Sequence, residues 1–310
     1  MADSRPILPP PLKPGDTIGL ISPAGPVTDQ QKYEAGLAIL SRMGFGVKPL
    51  RSRRPVCGYL AADDRERADQ LQRLWNDDEV GAVMAVRGGF GCLRMMDLLD
   101  LQSISATAKM LIGFSDISVL LNALAAHTGL VTFHGPVLTT LADLDDASLL
   151  RLRRLLLEGP LKSLRADNLR IVRPGSAAGR LFGGNLTTIV HLLTTRWEIP
   201  WEKTILLLED TGESMYRIDR MLTQLHAGGR LAKISGMILG DFDTGKDRTG
   251  HRRLCKQVED RVLELTAGLD IPVWGGFPAG HLRRNHIIPL GVDAVMDGEN
   301  NILRITRPLL

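Results

Sequence analysis

Along the first half of this chain, apolar positions switch between two periods. Short uninterrupted apolar runs at Thr17 to Ser22, Val47 to Leu50, Val80 to Val86 and Met110 to Ile112 have the length of buried strands. Between them the spacing changes to three and four. Asp29 to Met43 reads as a helix stopped by Gly44, and Asp63 to Trp75 places Ala68, Leu71, Leu74 and Trp75 on one face. Beyond the fourth run, Ile117, Leu120, Leu121, Leu124 and Ala125 repeat the helical spacing. Such β/α alternation predicts an N-terminal α/β domain with a doubly wound, mostly parallel sheet covered by helices.

A helix over Ala147 to Leu157 ends at Glu158-Gly-Pro160, and Leu161 to Gly179 is mixed in character. The second half has its own strand runs at Thr204 to Leu208, Ile234 to Leu239, Ile271 to Trp274 and Ile302 to Ile305. Helical patterns cover Met215 to Leu225 and Leu254 to Leu265. The expected organisation is therefore a first domain over 1–160, a linker over 161–178 and a second domain over 179–310.

Composition adds exclusions. Hydrophobic residues make up 44% and charged residues 24% of 310, as in a soluble globular protein. A formal charge of +3 is too balanced to argue for nucleic acid or a membrane surface. Arg51, Arg53 and Arg54 form a small basic knot that reads as a solvated loop. Cys57, Cys92 and Cys255 are far apart and match no metal-ligand spacing, so reduced thiols in a cytoplasmic protein are expected. No run approaches the roughly 18 apolar residues of a membrane span, and no signal-type apolar stretch opens the chain.

The richest local signal is Gly113-Phe-Ser-Asp116, between the Met110 strand and the helix that follows. Ser115 there occupies a tight strand-to-helix turn, where a hydrolase nucleophile stands clear of its sheet and helix-start N–H groups can stabilise an oxyanion. The same serine also suits plain helix capping. A serine nucleophile needs a base and an orienting acid. Of seven histidines, His191 and His226 fall within helical patterns and His127 ends one, whereas His281 lies in a glycine-rich loop after the Ile271 strand. The acids cluster at Glu209, Asp210 and Glu213, directly after the Thr204 strand. Glu209 suits the orienting role, and Glu213 suits a cap of the Met215 helix. Val86-Arg-Gly-Gly-Phe-Gly-Cys92 supplies three glycines at a strand end, fit for an oxyanion hole. It lacks the Lys-[Ser/Thr] of a phosphate-binding P-loop and the full dinucleotide-binding spacing. Cys92 beside it has no neighbour in sequence that would lower its pKa.

Taken in order, these segments resemble the LD-carboxypeptidase family of serine peptidases, which includes the microcin C self-immunity peptidases. The matching stretches are Lys13 to Ala24, Arg87-Gly-Gly-Phe-Gly91, Ile112 to Ile117, His134-Gly-Pro136, Gly183-Gly-Asn-Leu186, Leu208-Glu-Asp210 with Tyr216 to Arg220, and Gly280-His281 with Asn285 and Pro289-Leu-Gly291. The resemblance implies a triad of Ser115 as nucleophile, His281 as general base and Glu209 as orienting acid. Backbone N–H groups of Gly89 and Asp116 would form the oxyanion hole. It also implies a C-terminal domain rich in β structure, an active site at the domain interface, a homodimer, and no metal or organic cofactor. Leu282 stands where the family often has glycine, and Phe90 where it often has tyrosine. The implied activity is release of the terminal D-Ala from a cytoplasmic murein tetrapeptide in peptidoglycan recycling. The peptide's carboxylates call for a cation, with Arg87, Arg217 and Arg283 as candidates. Competing readings are a microcin C-type peptidase acting on an aminoacyl-nucleotide amide, a catalytically silent ligand-binding protein, and a nucleotide-binding oxidoreductase resting on the α/β pattern alone.

Overall fold

The computed structural model describes residues 6–49, 58–245 and 250–306. Leu50, the Arg51, Arg53 and Arg54 knot, and Cys57 lie outside the described residues. The chain divides into two compact units, Met1–Pro160 with His286–Pro289, and Leu161–Asn285 with Leu290–Leu310.

The first unit is built on a six-stranded sheet. Strands β1 (Thr17–Ile21), β2 (Gly46–Lys48), β3 (Val80–Ala85), β4 (Met110–Gly113) and β5 (Thr132–His134) pair in parallel in the order β5-β4-β3-β1-β2. Every residue of β4 is buried, which is why its sequence shows an unbroken apolar run. The helix Asp64–Trp75 starts where the Asp63 carboxylate accepts the Glu66 N–H at 2.8 Å. It ends with the Trp75 indole donating to the Ile104 carbonyl at 3.0 Å. The helix Ser118–Thr128 is buried from Ser118 through Ala125. It is a core helix, buried on every face along this stretch, and a left-handed Gly129 closes it.

The second unit carries an eight-stranded mixed sheet. Its strands begin with β6 (Ser163–Leu164), β7 (Arg170–Arg173), β8 (Ala177–Asn185), β9 (Thr204–Thr211), β10 (Gly236–Asp243) and β11 (Val273–Gly275). After β12 (Ile288–Leu290), which lies beside β5 in the first sheet, come β13 (Asp293–Asp297) and β14 (Ile302–Ile305). Strands β8 to β11 run parallel, with antiparallel β13 and β14 beyond β8 and antiparallel β7 beyond β11.

Two boundaries differ from the sequence expectation. Residues 161–178 are not a linker, because β6, β7 and the start of β8 are sheet strands. Strand β7 is an edge strand with its Arg170 and Ile171 exposed, so no apolar run marks it in the sequence. Nor is 179–310 one continuous domain, since His286–Pro289 returns to the first unit. Among the described residues, no helix is long and apolar enough to cross a membrane.

Candidate active site

In the first unit, β4 runs straight into a single 3₁₀ turn, Ser115–Ile117, that leads to the Ser118 helix. Ser115 adopts φ 62, in the left-handed region. For a residue with a Cβ, that conformation costs about 1–2 kcal/mol. Neither the turn nor the helix receives a side-chain capping bond at its start, so helix capping does not account for Ser115. The loop after β3 approaches this serine closely. A Cβ on Gly88 would lie 2.8 Å from the Ser115 Cβ and 2.9 Å from its Oγ, so only glycine admits the loop backbone there. The Gly88 carbonyl accepts the Gly25 N–H at 3.1 Å, tying the loop to the Pro23–Pro26 turn. Gly89 packs on the same turn. Asp116 accepts the Cys92 N–H at 2.8 Å, joining the far end of the glycine loop to the serine turn.

The Cys92 thiol is buried, and burial, followed by the Asp116 charge, pushes its pKa well above the usual value. It therefore lacks the thiolate a cysteine nucleophile requires. Arg87 of the same loop donates to the Pro26 carbonyl at 3.1 Å. Phe90 of the loop and Tyr59 from a separate segment are each 50% exposed with ring centroids 6.1 Å apart, an aromatic pair that no sequence period marks.

In the second unit, Glu209 lies near the C-terminal end of β9, one residue before the last buried position, and is fully buried. The His281 Nδ1 lies 2.9 Å from its Oε2 and, because a carboxylate can only accept, Nδ1–H is the donor. Burial alone would lower the imidazole pKa. The Glu209 charge and hydrogen bond outweigh it and hold His281 above its ordinary value. Gly280, at φ 133, makes this approach possible, since a Cβ there would fall 3.2 Å from the Glu209 Oε2.

Asp210 points the other way along the strand. Its carboxylate accepts from Asn185 Nδ2 at 3.1 Å, from the Thr187 N–H and Oγ1 at 2.8 Å each, and from the Thr211 N–H at 2.8 Å. Burial first, and the Glu209 charge next, raise it to about 6. Glu213 does not cap the helix Met215–Ala227. It stands 3.4 Å from the exposed Arg217, whose Nε also donates to the Tyr216 hydroxyl at 3.1 Å.

A cavity of about 780 Å³ opens at the ends of β10 and β11, against the start of the helix His251–Leu265. Leu282 and Arg283, next in sequence to His281, form part of its wall. His251 is 3.1 Å from Asp241 Oδ1 and 3.3 Å from Cys255 Sγ. The bond to Asp241, then that to Cys255, pushes the imidazole up to about 10. Nothing in the sequence motifs links His251 to Cys255 chemically. Their four-residue spacing on one helix was the available signal.

Of the residues singled out from sequence, Ser115, Asp116, Gly89 and Arg87 lie in the first unit, and Glu209, His281, Arg217 and Arg283 in the second. The structure brings Glu209 and His281 into contact and sets Ser115 against the glycine loop.

Known proteins match both halves. The family profile described as the LD-carboxypeptidase N-terminal domain matches residues 18–135, and that of the C-terminal domain matches 178–296. The murein tetrapeptide carboxypeptidase of Pseudomonas aeruginosa is 32% identical over 298 residues, covering 91% of this chain and 93% of that one. The microcin C7 self-immunity protein MccF of Escherichia coli is 30% identical over 344 residues, covering 100% of this chain and 98% of that one. Its likeness extends to structure: MccF in complex with glutamyl sulfamoyl guanosine superposes with a TM-score of 0.87 at 26% identity, over 98% and 100% of the two chains. The muramoyltetrapeptide carboxypeptidase of Oxalobacter formigenes superposes with a TM-score of 0.82 at 29% identity, over 95% and 100%. With the ordered motifs, the two-unit architecture and these matches in agreement, the chain belongs to the LD-carboxypeptidase family of serine peptidases.

Proposed function

We propose that the protein is a cytoplasmic LD-carboxypeptidase that releases the terminal D-Ala from murein tetrapeptide through a Ser115–His281–Glu209 triad. The observation that carries this reading is the 2.9 Å bond between His281 Nδ1 and a fully buried Glu209. With Nδ1 committed to the carboxylate, Nε2 is the nitrogen that takes the Ser115 proton as Oγ attacks the carbonyl joining the L-centre of the diamino acid to D-Ala. The oxyanion is held by the Gly89 and Asp116 N–H groups. The imidazolium, stabilised by Glu209, returns its proton to the leaving amine, and water then hydrolyses the acyl-enzyme by the same base. The residues named supply every proton and the nucleophile, so the scheme draws on no cofactor.

Incubation with L-Ala-D-Glu-diamino acid-D-Ala tests this reading. Stoichiometric D-Ala release by the native chain, and none by Ser115→Ala, is expected. Absence of release by the native chain overturns it.

A second reading draws on the exposed Tyr59–Phe90 pair and on the likeness to MccF. Two exposed rings, Phe90 on the glycine loop and Tyr59 beside it, suit stacking of a nucleobase. Cleavage of glutamyl sulfamoyl adenosine in place of tetrapeptide would establish it.

A further inference from the structure

The cavity at the ends of β10 and β11 has an uneven charge balance. Several of the basic groups on its wall already have carboxylate partners. Arg170 pairs with Glu259 at 2.5 Å, His251 with Asp241 at 3.1 Å, Arg284 with Asp167 at 2.8 Å and Lys256 with Asp260 at 2.6 Å. Arg252 and Arg283 stand on the same wall and, among the described residues, have no carboxylate within ion-pair distance. No carboxylate of the described residues therefore compensates these two positive charges at the cavity wall. Arg252 is the second residue of a 15-residue helix whose N-cap, Gly250, offers no side-chain cap, so the main-chain dipole adds to the positive field there.

Position and size narrow the ligand. The wall at Leu282 and Arg283 follows His281 directly in sequence, so the cavity borders the loop that carries the proposed general base. Ends of parallel strands are the usual ligand side of an α/β sheet. A volume of about 780 Å³ suits a peptide several residues long and far exceeds a single alanine. The leaving D-Ala does not need it; the acyl side of the substrate, with its D-Glu and diamino-acid carboxylates, does.

Building on the carboxypeptidase reading above, we propose that this cavity is an anion subsite in which Arg252 and Arg283 hold the free carboxylates of the acyl-side peptide. Arg170 and His251, held by Glu259 and Asp241, frame the subsite without competing for the ligand.

The test is calorimetric binding of the product tripeptide L-Ala-D-Glu-diamino acid, whose measurement does not depend on turnover. A second tripeptide has the D-Glu and side-chain diamino-acid carboxylates converted to amides. The native chain is expected to bind the acid form at least roughly tenfold more tightly than the amide form, as loss of charge-assisted bonds requires. In the Arg252→Gln/Arg283→Gln double variant, with its thermal melt recorded to establish folding, the two forms should bind alike. Equal affinity of the native chain for both forms overturns the subsite. So does a preference that survives in a folded double variant, or no binding of the acid form at millimolar concentration. D-Ala release from tetrapeptide with no acid-over-amide preference leaves the carboxypeptidase reading standing and removes the subsite. A preference without D-Ala release removes the carboxypeptidase reading instead.

Discussion

The ends of β4 and β9 make an instructive pair. Each is the C-terminal end of a buried strand in a parallel run, and each delivers a residue of the proposed triad. At β4 the device is steric. Ser115 sits at φ 62, and Gly88 comes so close that a Cβ there would lie 2.9 Å from the serine hydroxyl. At β9 the device is electrostatic. Glu209 is fully buried against His281, and Asp210 beside it is raised to about 6. The first unit thus positions an atom and the second sets a proton affinity. Added volume should damage the first and removed charge the second.

The comparison breaks first at Ser115. Ser115→Ala should lower kcat for D-Ala release by about 10³-fold or more, since only binding and oxyanion terms remain. Its thermal melt should stay close to that of the native chain. A loss below tenfold would place the nucleophile elsewhere. Next in size is Glu209→Gln, which keeps shape and removes charge. A drop in kcat of about 10²–10⁴-fold is expected. Glu213→Gln, altering the half-buried partner of exposed Arg217, should stay within about threefold because such surface pairs contribute little. If the two exchanged rank, the acid would be Glu213.

Gly88→Ala sharpens the steric half. Its methyl would sit 2.8 Å from the Ser115 Cβ, so the loop or the serine must shift. A displacement of that order costs on the order of 10–100-fold in kcat. The pH dependence should be unchanged, because no titrating group has been touched. A moved pH profile in this variant would show that the two devices are not separable.

How much of this was legible in the sequence depends on the range of the interaction. The Ser115 turn is local: an apolar run, a short polar turn and a helical repeat lie within twenty residues, so pattern alone exposed it. Most of the other parallel strands were legible for the same reason, since β4 and β9 bury nearly every residue, but the three-residue β5 and the glycine-interrupted β8 offered no such run. Strand β7 was not, because a half-exposed edge strand has no hydrophobic period to read. The Glu209–His281 bond joins residues 72 apart, and there the pattern offered only candidates at strand ends; the family resemblance chose among them. Gly88 was visible as part of a glycine loop, but its role as the residue facing Ser115 needed coordinates. The pairing of His251 with Asp241 was hidden because Asp241 lies on another element.

The smallest predicted effect concerns the position of a pH limb. A general base must be neutral to take a proton, so kcat/KM should rise with pH through the His281 pKa of the free enzyme. Burial lowers that pKa, Glu209 raises it, and the net direction is upward from the ordinary 6.5. The acid limb should therefore lie above 6.5 in the native chain, with activity lost as pH falls through it. In Glu209→Gln the main raising influence is gone while burial and the weaker pull of Asp243 and Asp210 remain, so the limb of the residual activity should move to lower pH. Measured as kcat/KM between pH 5 and 9, a limb that stays in place would mean that Glu209 orients the imidazole without setting its proton affinity. The β9 end would then be a steric device like the β4 end.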